Sequence, residues 1–319
     1  MTIDQLEAVQ AGGTTQWIRV RGTDTSNPVL LLMQLGPGFP IINEVRRFER
    51  LLGLEDMFTV VYWDQPGTGL SLRDSANRNS LSVERMVGGT VSLLELLRDR
   101  FGAPPFVTGF SFGATFAAYA AVQRPDLVAA LVAVGMDIDV PAAEANAYDF
   151  ALSAARQRGY RRAVRQLERI GAPPHLQSKS FSTRVRWVTN FGGVSTDLNY
   201  NRALRELLSS LVRSPDYSPW DIVRTVRGIT TTQAALVPEL ATTDLVRTMP
   251  RLEVPIVLVQ GRLDEVAPCE VAQRFHDSLS APNKQLVWFE RSAHTPHLEE
   301  PDKFRDVLIS MRSRAAADT

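Results

Sequence analysis

The sequence predicts an α/β protein: a mostly parallel central sheet with a helical cap inserted before the last two strands. Three observations carry this. Short, uniformly apolar runs alternate with longer amphipathic stretches from Trp17 to about Val140. An Arg-rich helical region with no buried-strand pattern fills about 138–248, and the apolar strand pattern then resumes near Val254.

Val29-Leu30-Leu31-Leu32-Met33 is too uniformly apolar for a half-exposed strand and suits one buried on both faces. Phe58-Thr59-Val60-Val61-Tyr62-Trp63, Pro105-Phe106-Val107-Thr108-Gly109 and residues 127–134 repeat that pattern, with helices over 82–100 and 113–123. The helical region is broken at Ala172-Pro173-Pro174, Phe191-Gly192-Gly193, Ser214-Pro215 and Ser218-Pro219-Trp220. Strands over 254–260 and 285–289 and a helix over 299–312 close the chain. Strands that return so late need an existing sheet to join, so residues 1–137 and 249–319 are read as one core and 138–248 as its cap.

Composition narrows the function. The 319 residues are 44% hydrophobic and 22% charged, enough to bury a large core. Lys plus Arg and Asp plus Glu both number 35, so no net field favours nucleic acid or an anionic membrane, and a small-molecule partner is expected. The acidic N-terminal stretch and the lack of a long apolar run point to a cytoplasmic protein without a membrane span. The lone Cys269 cannot form an intrachain disulfide. Four scattered histidines offer no Cys/His zinc site, and no metal or cofactor is expected.

Gly109-Phe110-Ser111-Phe112-Gly113 follows a buried strand and opens a helical run. Small residues two positions either side of Ser111 permit a tight strand-to-helix turn that lifts its hydroxyl above the sheet. A serine hydroxyl is a weak nucleophile, so this reading requires a histidine base and an acid that fixes its tautomer. Asp264 lies in the loop after the 254–260 strand, and His294 lies in the loop after the next one. His297 is the rival base and Asp137, after the strand ending near Gly135, the rival acid; His175 and His276 read as ordinary structural or solvated imidazoles. Gln34-Leu35-Gly36-Pro37-Gly38-Phe39-Pro40 follows the first buried strand, which makes the Gly36 and Phe112 amides the candidate oxyanion donors. Neither Gly36/Gly38 nor Gly67/Gly69 is followed by the third glycine of a dinucleotide fingerprint.

These segments together resemble the α/β-hydrolase superfamily, and within it the prolyl iminopeptidase-like branch. Asp64-Gln65-Pro66-Gly67-Thr68-Gly69-Leu70-Ser71 resembles that branch's loop, Gly36-Pro37-Gly38 its oxyanion loop, and His294-Thr295-Pro296-His297-Leu298-Glu299-Glu300-Pro301 its histidine loop. The resemblance covers roughly 15–137 and 249–312. It implies hydrolysis through an acyl-enzyme, with the cap setting substrate choice. Where the branch opens its oxyanion loop with His-Gly, this chain has Gln34-Leu35. The branch's peptidases bind the substrate amine with cap glutamates; here Glu144, Glu168, Glu206 and Glu239 are available, but they sit on amphipathic stretches beside arginines and polar residues.

The expectation is therefore a serine hydrolase of a small-molecule ester or amide for which a free amine is not strictly required. Gln34, Phe110, Glu206 and Glu239 are the candidate substrate contacts. A carboxylesterase or lactonase is the alternative within the class, and a non-hydrolytic lyase or ligand-binding protein of the same fold is the alternative outside it. The cap aromatics Tyr148, Phe150, Phe181, Trp187, Phe191, Tyr200, Tyr217 and Trp220 are candidates to line an apolar acyl pocket, most of them reading as cap core, and Arg156, Arg158, Arg161, Arg162, Arg165 and Arg169 read as a solvated helix face.

Overall fold

A strand buried on both faces must find neighbours on both edges, and the apolar runs of this chain do so in one sheet. The computed structural model describes residues 1–74, 76 and 81–317. Among them eight strands, β1 (Ile3–Ala11), β2 (Thr14–Gly22), β3 (Val29–Met33), β4 (Thr59–Asp64), β5 (Phe106–Phe110), β6 (Ala130–Val134), β7 (Ile256–Gly261) and β8 (Lys284–Phe289), pair in the order β1-β2-β4-β3-β5-β6-β7-β8. The β1–β2 and β2–β4 pairs are antiparallel and the rest parallel. Every residue of β3, β4, β5 and β6 is buried, as expected of parallel strands covered on both faces.

Helices α2 (Val83–Phe101) and α3 (Phe112–Gln123) pack on one face, where Leu93, Leu97 and Phe116 meet Leu31 and Val107. On the other face, Phe48 of α1 (Val45–Leu52) and Phe304 and Leu308 of the last helix (Pro301–Ala317) cover Leu30, Leu32 and Val60. Two departures from the sequence reading are local. The hairpin partner β1 escaped it, because most of β1 is partly or fully exposed and lacks an apolar run. The strand expected from 127 begins at Ala130, because Pro125–Leu127 form a 3-10 turn first.

Between β6 and β7 run helices α4 (Val140–Gln157), α5 (Arg161–Ile170), α6 (Ser178–Asn190), α7 (Tyr200–Arg213), α8 (Pro219–Leu240) and the short α9 (Leu245–Thr248). Their starts are chemically marked: the side chains of Asp139, Asn199, Ser218 and Asp244 each accept an amide hydrogen bond as N-caps. Ala151, Ala155, Leu167, Trp187 and Phe191 form a small core of their own. The insertion is also tied to the sheet's upper loops. Thr232 donates to the Gly67 carbonyl at 2.8 Å, Arg73 pairs with Asp221 at 2.7 Å, and the His294 amide donates to the Val194 carbonyl at 3.0 Å.

Candidate active site

In an open α/β sheet, ligands are met at the carboxyl ends of the strands. Four neighbouring strand ends here carry chemistry: β5 leads into Ser111, β6 into Asp137, β7 into Asp264 and β8 into His294.

Ser111 caps α3 with φ 53° and ψ −127°, the only non-glycine residue with positive φ among those described. A β-carbon favours negative φ, so the surrounding packing holds this geometry against local preference. Gly109 and Gly113 make that packing possible. A Cβ at 109 would stand 2.4 Å from the Ala114 Cα, and one at 113 would stand 2.5 Å from the Met33 and Gln34 carbonyl oxygens. Their absence lets α3 fold back on β5 and brings the loop after β3 against the serine turn.

Asp264 and His294 meet directly, with the His294 Nδ1 2.8 Å from the Asp264 Oδ2. The other oxygen of Asp264 accepts the Val266 and Ala267 amides, each at 2.8 Å, and the Gln260 amide donates to its Oδ2 at 3.2 Å. These bonds fix the carboxylate, and the carboxylate fixes the imidazole. Gly135 makes room for the ring: a Cβ there would stand 3.0 Å from Nδ1. Burial pulls the His294 pKa down, but the charge and hydrogen bond of Asp264, then the charge of Asp137, outweigh it and hold the imidazole above its usual value.

The Ser111 hydroxyl donates to the Asp137 Oδ2 at 2.6 Å, and among the described residues no Ser111–His294 hydrogen bond is formed. Asp137 is 5% exposed, and burial pushes its carboxyl up to about 6 despite the opposing influence of His294 and the serine hydrogen bond. The two aspartates that competed in the sequence thus take different partners: Asp264 the histidine, Asp137 the serine. His297, the rival base, packs against Phe110 with ring centroids 4.2 Å apart and the planes tilted by 40°, and its Nδ1 has no partner among the described residues. Burial holds it well below the usual histidine range.

Gln34 stands where the resemblance places His, and it braces its own loop. Its amide donates to the Pro40 carbonyl at 2.8 Å and its oxygen accepts the Leu35 amide at 2.8 Å. The Leu35 amide is therefore occupied. Asp64, fully buried, accepts the Ile41, Ile42 and Leu70 amides at 2.9, 3.1 and 2.8 Å and the hydroxyl of Tyr217 from the insertion. One carboxylate thus joins the loop after β3, the loop after β4 and the inserted helices. Asp64 was visible in the sequence as part of a familiar loop; its partner Tyr217 lies 153 positions away and carried no local signal.

The four candidate substrate contacts are engaged elsewhere. Gln34 serves its loop, as above. Phe110 is 1% exposed and packs beneath Phe48 and His297, because the last residue of β5 points into the sheet's core. Glu206 pairs with Arg202 at 3.1 Å and Arg47 at 3.5 Å. Glu239 accepts the Val83 amide at 2.8 Å, at the start of α2. Among the inserted glutamates Glu144 is buried, but it forms an ion pair with Arg184 at 2.6 Å and accepts the His175 amide. Arg156, Arg158, Arg161, Arg162, Arg165 and Arg169 are exposed, in keeping with a solvated face.

The model for the family described as Serine aminopeptidase, S33 matches residues 52–302. The chain belongs to that family. It is a serine hydrolase of the α/β-hydrolase superfamily, a class acting on ester or amide bonds. It is 28% identical to a probable aminopeptidase, YbaC, of Bacillus subtilis over 305 residues, covering 95% of this chain and 94% of that protein. It is 25% identical to a pimeloyl-[acyl-carrier protein] methyl ester esterase of Vibrio vulnificus over 261 residues, covering 82% and 86%. The crystal structure of proline iminopeptidase from Mycobacterium smegmatis shares the fold with a TM-score of 0.66 at 18% identity, covering 99% of this chain and all of that one. No helix among the described residues is long and apolar enough to cross a membrane.

Proposed function

We propose that this family member cleaves an ester or amide bond of a small molecule through an acyl-enzyme on Ser111. His294 is the general base, Asp264 orients it, and the Gly36 and Phe112 amides receive the oxyanion. The observation that carries the reading is the 2.8 Å Asp264–His294 bond on the same sheet rim as the strained Ser111 turn.

In this mechanism Ser111 turns its hydroxyl from Asp137 towards His294. Its oxygen bonds to the substrate carbonyl carbon as its proton passes to His294, and the carbonyl electron pair moves onto oxygen, where backbone amides hold it. Collapse expels the leaving group with the proton from His294, and water, activated by the same imidazole, releases the acid. The start of α3 adds a favourable dipole for the developing anion. Gln34 supports the Gly36 assignment, since by taking the Leu35 amide it leaves the next amide as the donor. Residues 138–248 act as a cap that selects the substrate, and their ties to the loops after β4 and β8 support that role.

The relatives include a probable aminopeptidase and a methyl ester esterase, so both bond types belong in the test. Incubation with a fluorophosphonate probe should label Ser111, and 4-nitrophenyl esters and aminoacyl anilides should be screened side by side. Absence of labelling, or equal labelling of Ser111→Ala, refutes the acyl-enzyme reading.

A further inference from the structure

Asp137 is a buried carboxylate whose only hydrogen bond from a described side chain comes from the Ser111 hydroxyl, and among the described residues no cation forms an ion pair with it. Of the two cations that act on it, His294 is bonded to Asp264 and Arg184 has Glu144 at 2.6 Å, so each is already answered by another carboxylate. Asp264 is answered by His294. The ledger of buried charge around Ser111 therefore closes everywhere except at Asp137. A desolvated carboxylate without a counter-charge is costly unless a cation arrives with the ligand.

The geometry limits where that cation sits. A carbonyl carbon under attack lies about 3–3.5 Å from the nucleophilic oxygen. A nitrogen on the adjacent carbon is two bonds further, ~2.5 Å from the carbonyl carbon. The Asp137 Oδ2, 2.6 Å from the Ser111 Oγ, is thus within reach of an α-amino group on the acyl part of the substrate. The inserted glutamates are less free to meet it: Glu144 has Arg184, Glu206 has Arg202 and Arg47, and Glu239 holds the start of α2.

We propose that Asp137, rather than a glutamate of the inserted helices, receives the α-ammonium group of an aminoacyl substrate. This pairing releases the Ser111 hydroxyl to His294. The inference rests on Ser111 being the nucleophile and names the substrate class of that same site: acyl groups with a free, protonated α-amine. The ammonium competes with the hydroxyl for one carboxylate, so the substrate itself turns the nucleophile towards its base. The amine is preferred but not required, since a neutral acyl group still reaches Ser111.

The test compares 2-aminobutyryl, N-acetyl-2-aminobutyryl and butyryl 4-nitrophenyl esters with the full-length protein and with Asp137→Asn, after subtraction of spontaneous hydrolysis. The expected result is a wild-type preference for the free amine of at least about tenfold in kcat/KM, visible in kcat as well as KM, that falls at least about tenfold in Asp137→Asn. The ratio is the readout, whatever the absolute rate on the neutral ester. An unchanged ratio in the variant overturns the proposal, and a preference confined to KM overturns the release step. A wild-type measurement covers the case of a misfolded variant: 1-aminopropylboronic acid should inhibit far more tightly than propylboronic acid, and equal inhibition overturns the proposal. Fluorophosphonate labelling of Ser111 in the same preparation separates the two levels. A labelled protein without amine preference refutes the role of Asp137 alone, and an unlabelled one refutes the nucleophile.

Discussion

Ser111, His294, Asp264 and Asp137 carry the sharpest consequences at the scale of single residues. Ser111→Ala and His294→Ala should each lower kcat/KM by about 10⁴-fold or more while leaving the fold intact, since members of such a unit fail together. Near-normal rates in either variant contradict the assignment. Because Asp264 and then Asp137 hold His294 above the usual histidine value against burial, the acid limb of the kcat/KM profile should lie above pH 6.5, and Asp264→Asn should move it down. An acid limb below 6.5 in the wild type counts against His294 as base. Asp137 gives a stability signature of opposite sense to an ion-paired aspartate. Burial lifts its carboxyl to about 6 from an unfolded value of 3.8, so the folded state binds its proton more tightly than the unfolded one. Its contribution to stability is fully present below 3.8 and is lost as pH rises through 6. A rise from 3.8 to about 6 corresponds to about 3 kcal/mol. Asp137→Asn should therefore gain up to about 3 kcal/mol over the wild type at pH 8 and almost nothing at pH 4, read by urea unfolding. Equal gains at both pH values would show that Asp137 is not a buried, titrating group.

At the scale of elements, the inserted helices depend on a buried ion pair that links α4 to α6. Glu144 and Arg184 are both 5% exposed and 2.6 Å apart, with His175 packed against them. Removing one partner of such a pair strands a charge, so Arg184→Met should cost about 3–5 kcal/mol. Adding Glu144→Gln to that variant should recover much of the loss, because the stranded carboxylate is gone. Additive losses in thermal or urea unfolding would show that the two residues act separately. The elements themselves were unevenly legible. β3 matches its apolar run residue for residue, and the helices expected over 82–100 and 113–123 appear as Val83–Phe101 and Phe112–Gln123. Burial on both faces writes a strand in uninterrupted apolar letters. β1 was not legible because an edge strand with exposed Gln5 and Gln10 has no such constraint.

At the scale of the whole molecule, the site is assembled from residues as far apart as 111 and 294 by the order in which β5, β6, β7 and β8 lie side by side. Among the described residues no three His, Cys, Asp or Glu side chains converge as metal ligands. EDTA should therefore leave turnover of a 4-nitrophenyl ester unchanged; loss of activity restored by added zinc would contradict the mechanism. The insertion leaves the sheet just after Asp137 and returns before Asp264, so the carboxylate proposed to receive the amine lies at its root rather than on its helices.

The sequence by itself determined the strand pattern and the Ser111 turn and placed Asp264 and His294 in loops after consecutive strands, because each follows from local constraints: burial on two faces, a turn that needs small neighbours, and the order of strands along the chain. It could not decide which aspartate serves which partner. Asp137 and Asp264 both follow a strand of the same sheet rim, and only the distances separate them, 2.6 Å to the serine for one and 2.8 Å to the histidine for the other. Nor could it decide which glutamates were free, because Glu144, Glu206 and Glu239 are spent on Arg184, Arg202 and the Val83 amide. Pairing between charges is set by how helices distant in sequence pack together, and periodicity within any one helix carries no information about it.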